Sequence, residues 1–276
     1  MCKILFFDID GTLAYPCQSP PPSAVAAIQV ARRNGNKVFI STGRTTDSIP
    51  QAVADIGFDG GIYSAGGIVL LGNNILAQHH MSEHTVQAVL NALQALSVFY
   101  VLETAEGRYH SENGHMVLAE AVIQNVSQEM QKLTADILFD TSMHPISEYI
   151  GQPVFKIAYH SADPQVTVQL INRLNTIAKI VQFGNIPGLP ITIGEISDPN
   201  VNKGQAMLDV CQHYGKAPGD CIAFGDSMND AEIIRAARLG VAMGNAEQAL
   251  KEIANLVCDN CENDGIAKAL QNLGLI

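Results

Sequence analysis

Two aspartates separated by one residue follow the first apolar run of the chain. Ile4 to Phe7 are four consecutive apolar residues, which predicts a short strand buried on both faces. Asp8 and Asp10 come directly after this run, and Gly11 begins a loop. Alternate side chains of an extended chain share a face, so the two carboxylates point the same way if the strand continues. Open α/β sheets bind ligands at the carboxyl ends of their strands, so the pair is a candidate for chemistry, although aspartates also cap turns.

A hydroxyl and an arginine follow the second apolar run. Ser41-Thr42-Gly43-Arg44 comes directly after the predicted buried strand Lys37–Ile40 and precedes a predicted helix. A side-chain hydroxyl, free backbone N–H groups and the helix dipole would together form an anion site at this point. The alternative is an ordinary helix N-cap, which serine and threonine supply routinely.

Two further charged positions occur late in the chain. Lys203 begins a predicted helix, where a cation opposes the helix dipole and a bound anion would reverse that penalty; a solvated surface lysine is the alternative. Asp226 comes at the end of the predicted strand Cys221–Phe224, and Asp230 follows four residues later, on the same side if the helix starts early. A turn with an N-cap is the alternative for these two aspartates.

Asp8, Asp10 and Asp226 would repel one another if they converged at adjacent strand ends. At about 4 Å and an effective dielectric constant near 20, each pair of carboxylates repels by ~4 kcal/mol. Three such pairs would approach the net stability of a whole domain, about 5–15 kcal/mol. A divalent cation removes this repulsion, and oxygen-only ligands suit Mg²⁺, which takes a substrate phosphate as a further ligand.

The composition narrows the classes of partner. The chain has 276 residues, 47% of them hydrophobic, and 16 Lys+Arg against 27 Asp+Glu give a net charge of −11. This balance argues against nucleic acid or an anionic membrane as a partner, but not against a phosphorylated substrate. We expect no signal peptide and no transmembrane segment. Six cysteines, with one isolated CxxC at Cys258 and Cys261, make neither a disulfide scaffold nor a four-ligand zinc site, so we expect a cytoplasmic protein.

The predicted elements divide the chain into two parts. Strands and helices alternate in residues 1–80 and again in 191–276, including a helix from Thr45 towards Ile56, as in a parallel sheet with crossover helices. Residues 81–190 give the order α-β-β-α-β-α-β, with a helix from Val117 to Leu133, which favours a separate α+β domain. We therefore expect an α/β fold, with a Rossmann-like parallel-sheet core and an inserted domain.

The chain resembles the haloacid dehalogenase (HAD) superfamily in four motifs that occur in the family's order. These are Asp8-Ile-Asp10-Gly11-Thr12-Leu13, Ser41-Thr42-Gly43-Arg44, Lys203 and Gly225-Asp226-Ser-Met-Asn229-Asp230. Two later segments resemble its Cof-type phosphatases: Gly240-Val-Ala-Met-Gly244-Asn245-Ala246 and Glu262-Asn263-Asp264-Gly265. The insertion between the second and third motifs is similar to the class IIB cap in layout and length. One departure is Ser64-Ala65-Gly66-Gly67, where the family often has Asn-Gly after the third strand.

The resemblance implies a phosphatase that hydrolyses small phosphorylated metabolites through an aspartyl-phosphate intermediate. Sugar phosphates are the first candidates for the substrate. Asp8 would be the nucleophile, and Asp10 would be the general acid for the leaving alcohol and then the base for water. Thr42 would bind a phosphoryl oxygen, and Lys203 would neutralise the developing negative charge.

The resemblance also implies a magnesium site and further substrate contacts. Mg²⁺ would be held by Asp8, the Asp10 backbone carbonyl and Asp226, with Asp230 in support. The candidate substrate contacts beyond Thr42 and Lys203 are Gly43, Arg44 and Asn229. Polar residues near strand ends of the insertion could reach the substrate or be structural: His110, Glu112, Asn113, His115, Lys156 and Asn185.

Two other functions stay open. A phosphomutase on the same fold would need a second phosphate site and hence clustered arginines in the insertion, where residues 81–190 contain Arg108 and Arg173. A non-catalytic metabolite sensor on this fold usually lacks a motif residue, and every motif residue is present here. The sequence indicates no oligomeric state.

Overall fold

The computed structural model describes residues 2–15, 18–112, 143–182 and 191–276. The chain divides into a core unit, Met1–His79 with Asn200–Ile276, and an inserted unit, His80–Pro199. The predicted helix Val117–Leu133 and the candidate residues Asn113, His115 and Asn185 lie outside the described residues.

The described residues form these strands and helices, numbered in chain order. The strands are β1 Ile4–Phe7, β2 Lys37–Ser41, β3 Gly60–Tyr63, β4 Ile68–Leu71, β5 Asn74–Gln78, β6 Phe99–Thr104, β7 Arg108–His110, β8 His144–Pro145, β9 Val154–Ser161, β10 Lys179–Gln182, β11 Thr192–Ser197, β12 Cys221–Gly225, β13 Leu239–Ala242 and β14 Leu256–Val257. The helices are α1 Pro22–Arg33, α2 Gln51–Ala54, α3 Glu83–Ala95, α4 Val166–Leu174, α5 Lys203–His213, α6 Ala231–Ala236, α7 Gln248–Ile253 and α8 Gly265–Asn272.

The sheet of the core unit is parallel from β14 to β3. Its order among the described residues is β14-β13-β12-β1-β2-β3-β4-β5, and β4 and β5 continue it as antiparallel strands. Strand β1 lies between β12 and β2, and all four of its side chains are buried. Leu5 and Phe7 pack with α1 and α8 on one face, whereas Ile4 and Phe6 pack with α5 and α6 on the other. The predicted α/β fold with a Rossmann-like parallel sheet is confirmed.

The helix predicted from Thr45 towards Ile56 is wrong over its first half. The chain instead forms a 3₁₀ turn at Thr46–Ser48, becomes extended at Ile49 and only then forms the short helix α2. The cause is Pro50, because a proline disfavours the helical region for the residue before it and has no N–H to donate within a helix. Strand β5, which the sequence did not predict, is a short and largely exposed edge strand.

The inserted unit has its own sheet, in the order β10-β11-β9-β6-β7-β8 among the described residues. Strand β11 pairs with β9 and β10, with Ile196 opposite Ile157 and Ile180, and Ile196 and Ile157 belong to the apolar core that α3 and α4 cover. The predicted return to the core at residue 191 is therefore wrong, and the core unit resumes at Asn200. The described helices include none that is both long and apolar enough to cross a membrane.

Helix α3 offers a test of local stability in the inserted unit. Ser82 is its N-cap, and the Ser82 hydroxyl accepts a hydrogen bond from the Thr85 backbone N–H at 3.1 Å. We expect Ser82→Ala to lower the free energy of unfolding by about 1 kcal/mol, because this N–H loses its partner. The control is Gln87→Ala on the exposed side of the same helix, with an expected change within about 0.5 kcal/mol. Urea unfolding measures both, and equal losses would contradict the capping role.

Candidate active site

Lys203 is the first residue of α5, and its side chain is fully buried between two carboxylates. Its Nζ donates to Asp8 Oδ1 and to Asp230 Oδ1, each at 2.6 Å. Burial by itself would lower the pKa of Lys203, but the charges of Asp230 and Asp8 and their hydrogen bonds raise the pKa above its ordinary value. The ammonium therefore stays charged, and Lys203 is not the solvated surface lysine that the sequence left open.

Asp8, Asp226 and Asp230 form an acidic cluster, in which one carboxylate oxygen of each lies within 4.8 Å of the others. Burial raises the pKa of Asp8, and the charge of Asp230 raises it further, while Lys203 lowers it. Burial and the charge of Asp230 likewise raise the pKa of Asp226 to about 7. Three carboxylates and one ammonium leave a formal charge of −2 when all are ionised. That charge and the oxygen donors fit a divalent cation of the Mg²⁺ type.

Parallel pairing of β1 and β12 brings the first and the last parts of the chain together here. Phe7 lies opposite Phe224 in the sheet, and the Asp8 backbone N–H donates to the Phe224 carbonyl at 3.1 Å. Asp8 directly follows β1, and Asp226 directly follows β12, so both carboxylates come from the same edge of the sheet. Their proximity thus depends on strand register, which the short apolar runs of the sequence indicate only indirectly.

The Asp230 carboxylate accepts hydrogen bonds both from Lys203 and from the loop that carries Asp226. Its Oδ1 accepts from Lys203, and its Oδ2 accepts from the backbone N–H groups of Asp226 and Ser227 at 3.1 and 3.4 Å. The side chain is fully buried. Asp230 therefore links the lysine to the loop that carries Asp226, and its two oxygens are both engaged inside the core unit.

Three residues to which the sequence assigned no role support Asp226. The Thr12 hydroxyl donates to Asp226 Oδ1 at 3.2 Å, and the Asn245 side chain donates to the Gly11 carbonyl at 2.8 Å. Gly11 has φ +85°, and a Cβ there would lie 2.1 Å from Asp226 Oδ2. All three occur inside the segments that resemble the family motifs, so their positions in those motifs could have identified them as site residues.

Thr42 is buried directly after β2, but the segment that follows does not form the helix whose dipole was expected beside it. The segment that follows is a 3₁₀ turn and not the long helix that was predicted. The Thr42 hydroxyl accepts from the Arg44 backbone N–H at 3.1 Å. Asn229 lies in the 3₁₀ turn Met228–Asp230, where its Oδ1 accepts from the Ser227 hydroxyl at 2.8 Å.

The Asp10 carboxylate lies outside the acidic cluster and contacts Arg44. The Arg44 Nε donates to Asp10 Oδ2 and its Nη2 donates to Asp10 Oδ1, both at 2.7 Å. The two side chains are 30% and 37% exposed for Arg44 and Asp10, respectively. The sequence analysis proposed Arg44 as a substrate contact and did not predict its ion pair with Asp10. A contact of Arg44 or Gly43 with substrate stays a prediction.

The two cysteines of the CxxC segment contact different partners. The Cys258 thiol lies 3.5 Å from the Met243 sulfur, whereas the Cys261 thiol donates to the Leu13 carbonyl at 3.4 Å. Cys261 packs in the core cluster that includes β1. Its contact is therefore with the loop that follows the two aspartates.

A parallel sheet covered by helices on both faces, with acidic strand ends beside a buried lysine, defines an α/β enzyme with a carboxylate centre. The chain belongs to the haloacid dehalogenase-like hydrolases, because the model of that family matches residues 5–270. The predicted superfamily and the predicted enzyme class, a hydrolase, are confirmed.

Relatives and solved structures match along almost the whole chain. It is 25% identical over 272 residues to the 5-amino-6-(5-phospho-D-ribitylamino)uracil phosphatase YitU of Bacillus subtilis, covering 97% of this chain and 96% of the relative. It is 26% identical over 278 residues to the HMP-PP phosphatase of Cronobacter sakazakii, covering 98% and 95%. A HAD subclass IIB sugar phosphatase has the same fold, with a TM-score of 0.79, 23% identity and coverage of 99% and 100%.

Gly11 gives a test of how Asp226 is placed. Gly11→Ala would put a methyl group against the Asp226 carboxylate, whereas Gly35, with a similar φ of +89°, has no atom of the described residues within 4 Å of the same position. Both substitutions carry the left-handed backbone cost of roughly 1–2 kcal/mol. We expect only Gly11→Ala to weaken binding of a divalent cation, by about tenfold or more, in isothermal titration calorimetry. Equal weakening by Gly35→Ala would contradict this placement.

The raised pKa of Asp226 predicts how stability depends on pH without metal. The folded state keeps the Asp226 proton up to about pH 7, whereas the unfolded state loses it near the ordinary value of 3.8. In excess chelator, stability therefore falls as the pH rises through this range. We expect Asp226→Asn to melt at the same or a higher temperature than the wild type at pH 8, with the difference shrinking towards pH 4. A lower melting temperature of the variant at pH 8 would show that the carboxylate stabilises the fold.

Proposed function

We propose that this hydrolase is a Mg²⁺-dependent phosphatase of small phosphorylated metabolites. The observation that carries the proposal is the Lys203 ammonium bonded to Asp8 beside Asp226, which combines a nucleophile, a cation and a metal-binding carboxylate. Relatives along the whole chain are named as phosphatases of a phosphoribitylamino-uracil and of HMP-PP, which supports a small phosphorylated substrate. We further propose that the enzyme acts in the cytoplasm.

The acidic cluster is the proposed magnesium site. The carboxylates of Asp8 and Asp226 and the backbone carbonyl of Asp10 would hold the ion, with Asp230 keeping the Asp226 loop in place. When bound, the ion would polarise the phosphoryl group and offset the charge of −2 that the acidic cluster and Lys203 carry together when all are ionised. Asp226 would depend on the Thr12 hydroxyl for its orientation.

The protein's own residues would supply the covalent and proton-transfer steps. An Asp8 oxygen forms a bond to phosphorus while the bond from phosphorus to the alcohol oxygen breaks, and Asp10 donates a proton to that oxygen. Water then attacks phosphorus, Asp10 takes its proton, and the bond to Asp8 breaks, which releases inorganic phosphate. Lys203 and Thr42 stabilise the negative charge on the phosphoryl oxygens in both steps.

The proposed function predicts metal-dependent release of phosphate from a panel of sugar phosphates and other phosphorylated metabolites. Chelation should abolish turnover and Mg²⁺ should restore it. Asp8→Asn should lower kcat by at least about 10³-fold, as expected for loss of a nucleophile. Asp55→Asn, which changes an exposed aspartate of the core unit, is the control and should leave turnover unchanged. Full activity in excess chelator, or in Asp8→Asn, would contradict the proposal.

Isotopically labelled water separates hydrolysis from phosphoryl transfer between hydroxyls. The freed phosphate should carry one solvent oxygen, and activity should need no bisphosphate activator. An isomeric sugar phosphate formed only with catalytic bisphosphate would replace this proposal with a mutase. Binding of a metabolite without any turnover would replace it with a sensor.

A further inference from the structure

The Arg44 guanidinium donates hydrogen bonds to both oxygens of one carboxylate and to a backbone carbonyl. Its Nε and Nη2 each donate to a different oxygen of Asp10 at 2.7 Å, and its Nη1 donates to the Ser48 carbonyl at 3.0 Å. The Arg44 backbone N–H donates to the Thr42 hydroxyl at 3.1 Å. The planar fork matches a carboxylate and restricts its orientation, which a lysine ammonium does not do.

Asp10 has room to adopt other orientations once this contact is lost. Asp10 and Arg44 border a cavity of about 320 Å³, whose wall also includes Tyr15, Gln18 and Gln51. Asp10 and Arg44 therefore line this cavity, whereas none of its described lining residues belongs to the acidic cluster. A partly exposed ion pair such as this contributes little to stability, so stabilising the fold is a weak reason for the contact.

We propose that Arg44 is a positioning residue that holds the carboxylate of Asp10 in place for proton transfer. The inference rests on the proposed function, in which Asp10 is the acid and then the base. Proton transfer needs the donor and acceptor atoms within hydrogen-bond reach, so a freely rotating carboxylate transfers protons less often. Loss of Arg44 therefore slows the steps in which Asp10 moves a proton and spares a step in which no proton is needed.

Leaving-group chemistry separates these steps in a pre-steady-state experiment. Phosphorylation of Asp8 by p-nitrophenyl phosphate expels a stable phenolate, whereas phosphorylation by a sugar monophosphate expels an alkoxide that needs a proton. For the sugar monophosphate that the wild type hydrolyses fastest, we expect Arg44→Gln to slow phosphorylation by about 10–100-fold. This is less than most of the roughly 10²–10⁴-fold that a general acid contributes, because the Asp10 carboxylate is misoriented and not removed. With p-nitrophenyl phosphate we expect a change below about threefold, and KM should change little for either ester. Arg44→Lys, which keeps the charge without the fork, should lie between wild type and Arg44→Gln.

The matched control is a second arginine–aspartate pair of the core unit. Arg32 donates to Asp59 through Nη2 at 3.0 Å and Nε at 3.3 Å. Arg32→Gln breaks that pair and should leave both phosphorylation rates unchanged. Any effect confined to Arg44→Gln is then specific to the partner of that arginine.

A double-mutant cycle shows whether Arg44 acts through Asp10. In an Asp10→Asn background, adding Arg44→Gln should change the alkyl phosphorylation rate by less than about twofold, because the positioned carboxylate is already gone. Equal losses on both esters, a raised KM on both, or an undiminished effect in the Asp10→Asn background would overturn the inference. A wild type that hydrolyses neither ester would overturn the proposed function, which is a different result from an active enzyme that is indifferent to Arg44.

Discussion

The centre of this protein depends on one buried ammonium group. Lys203 donates at 2.6 Å to Asp8 and to Asp230, and these bonds join parts of the chain 195 and 27 residues apart. A buried charge is strongly unfavourable without partners, so the three side chains require one another. The end of β1, the start of α5 and the turn after β12 are thereby held at one point of the sheet edge.

The lysine does not neutralise the site, because three carboxylates and one ammonium leave a formal charge of −2 when all are ionised. Burial raises the pKa values of Asp8 and Asp226, so holding both ionised without a cation costs stability. Asp230 uses both of its oxygens inside the core, whereas Asp226 is held by Thr12 and by the close approach of Gly11. Hydrogen bonds and close packing therefore hold Asp226 and Asp230 in an arrangement that a divalent cation would stabilise.

Local pattern predicted most of the elements, and its errors have local or long-range causes. The buried run of β1 and the alternation of strands and helices indicated a parallel sheet, since few other folds bury such runs on both faces. The helix beyond Thr45 failed because Pro50 interrupts it. The boundary at residue 191 failed because β11 is an ordinary short strand, and only its pairing with β9 shows to which sheet it belongs.

By itself, the sequence determined the α/β fold, the family and the acidic residues at the strand ends, because these depend on apolar runs and on short motifs. The tertiary structure alone decided which charges pair: Lys203 with Asp8 and Asp230, and Arg44 with Asp10 across 34 residues. The Asp10 carboxylate lies outside the acidic cluster and pairs with Arg44, whereas the sequence predicted that it would converge with Asp8 and Asp226. The physical reason is that a charged side chain selects its partner by distance and direction in space, and strand register and loop path set both.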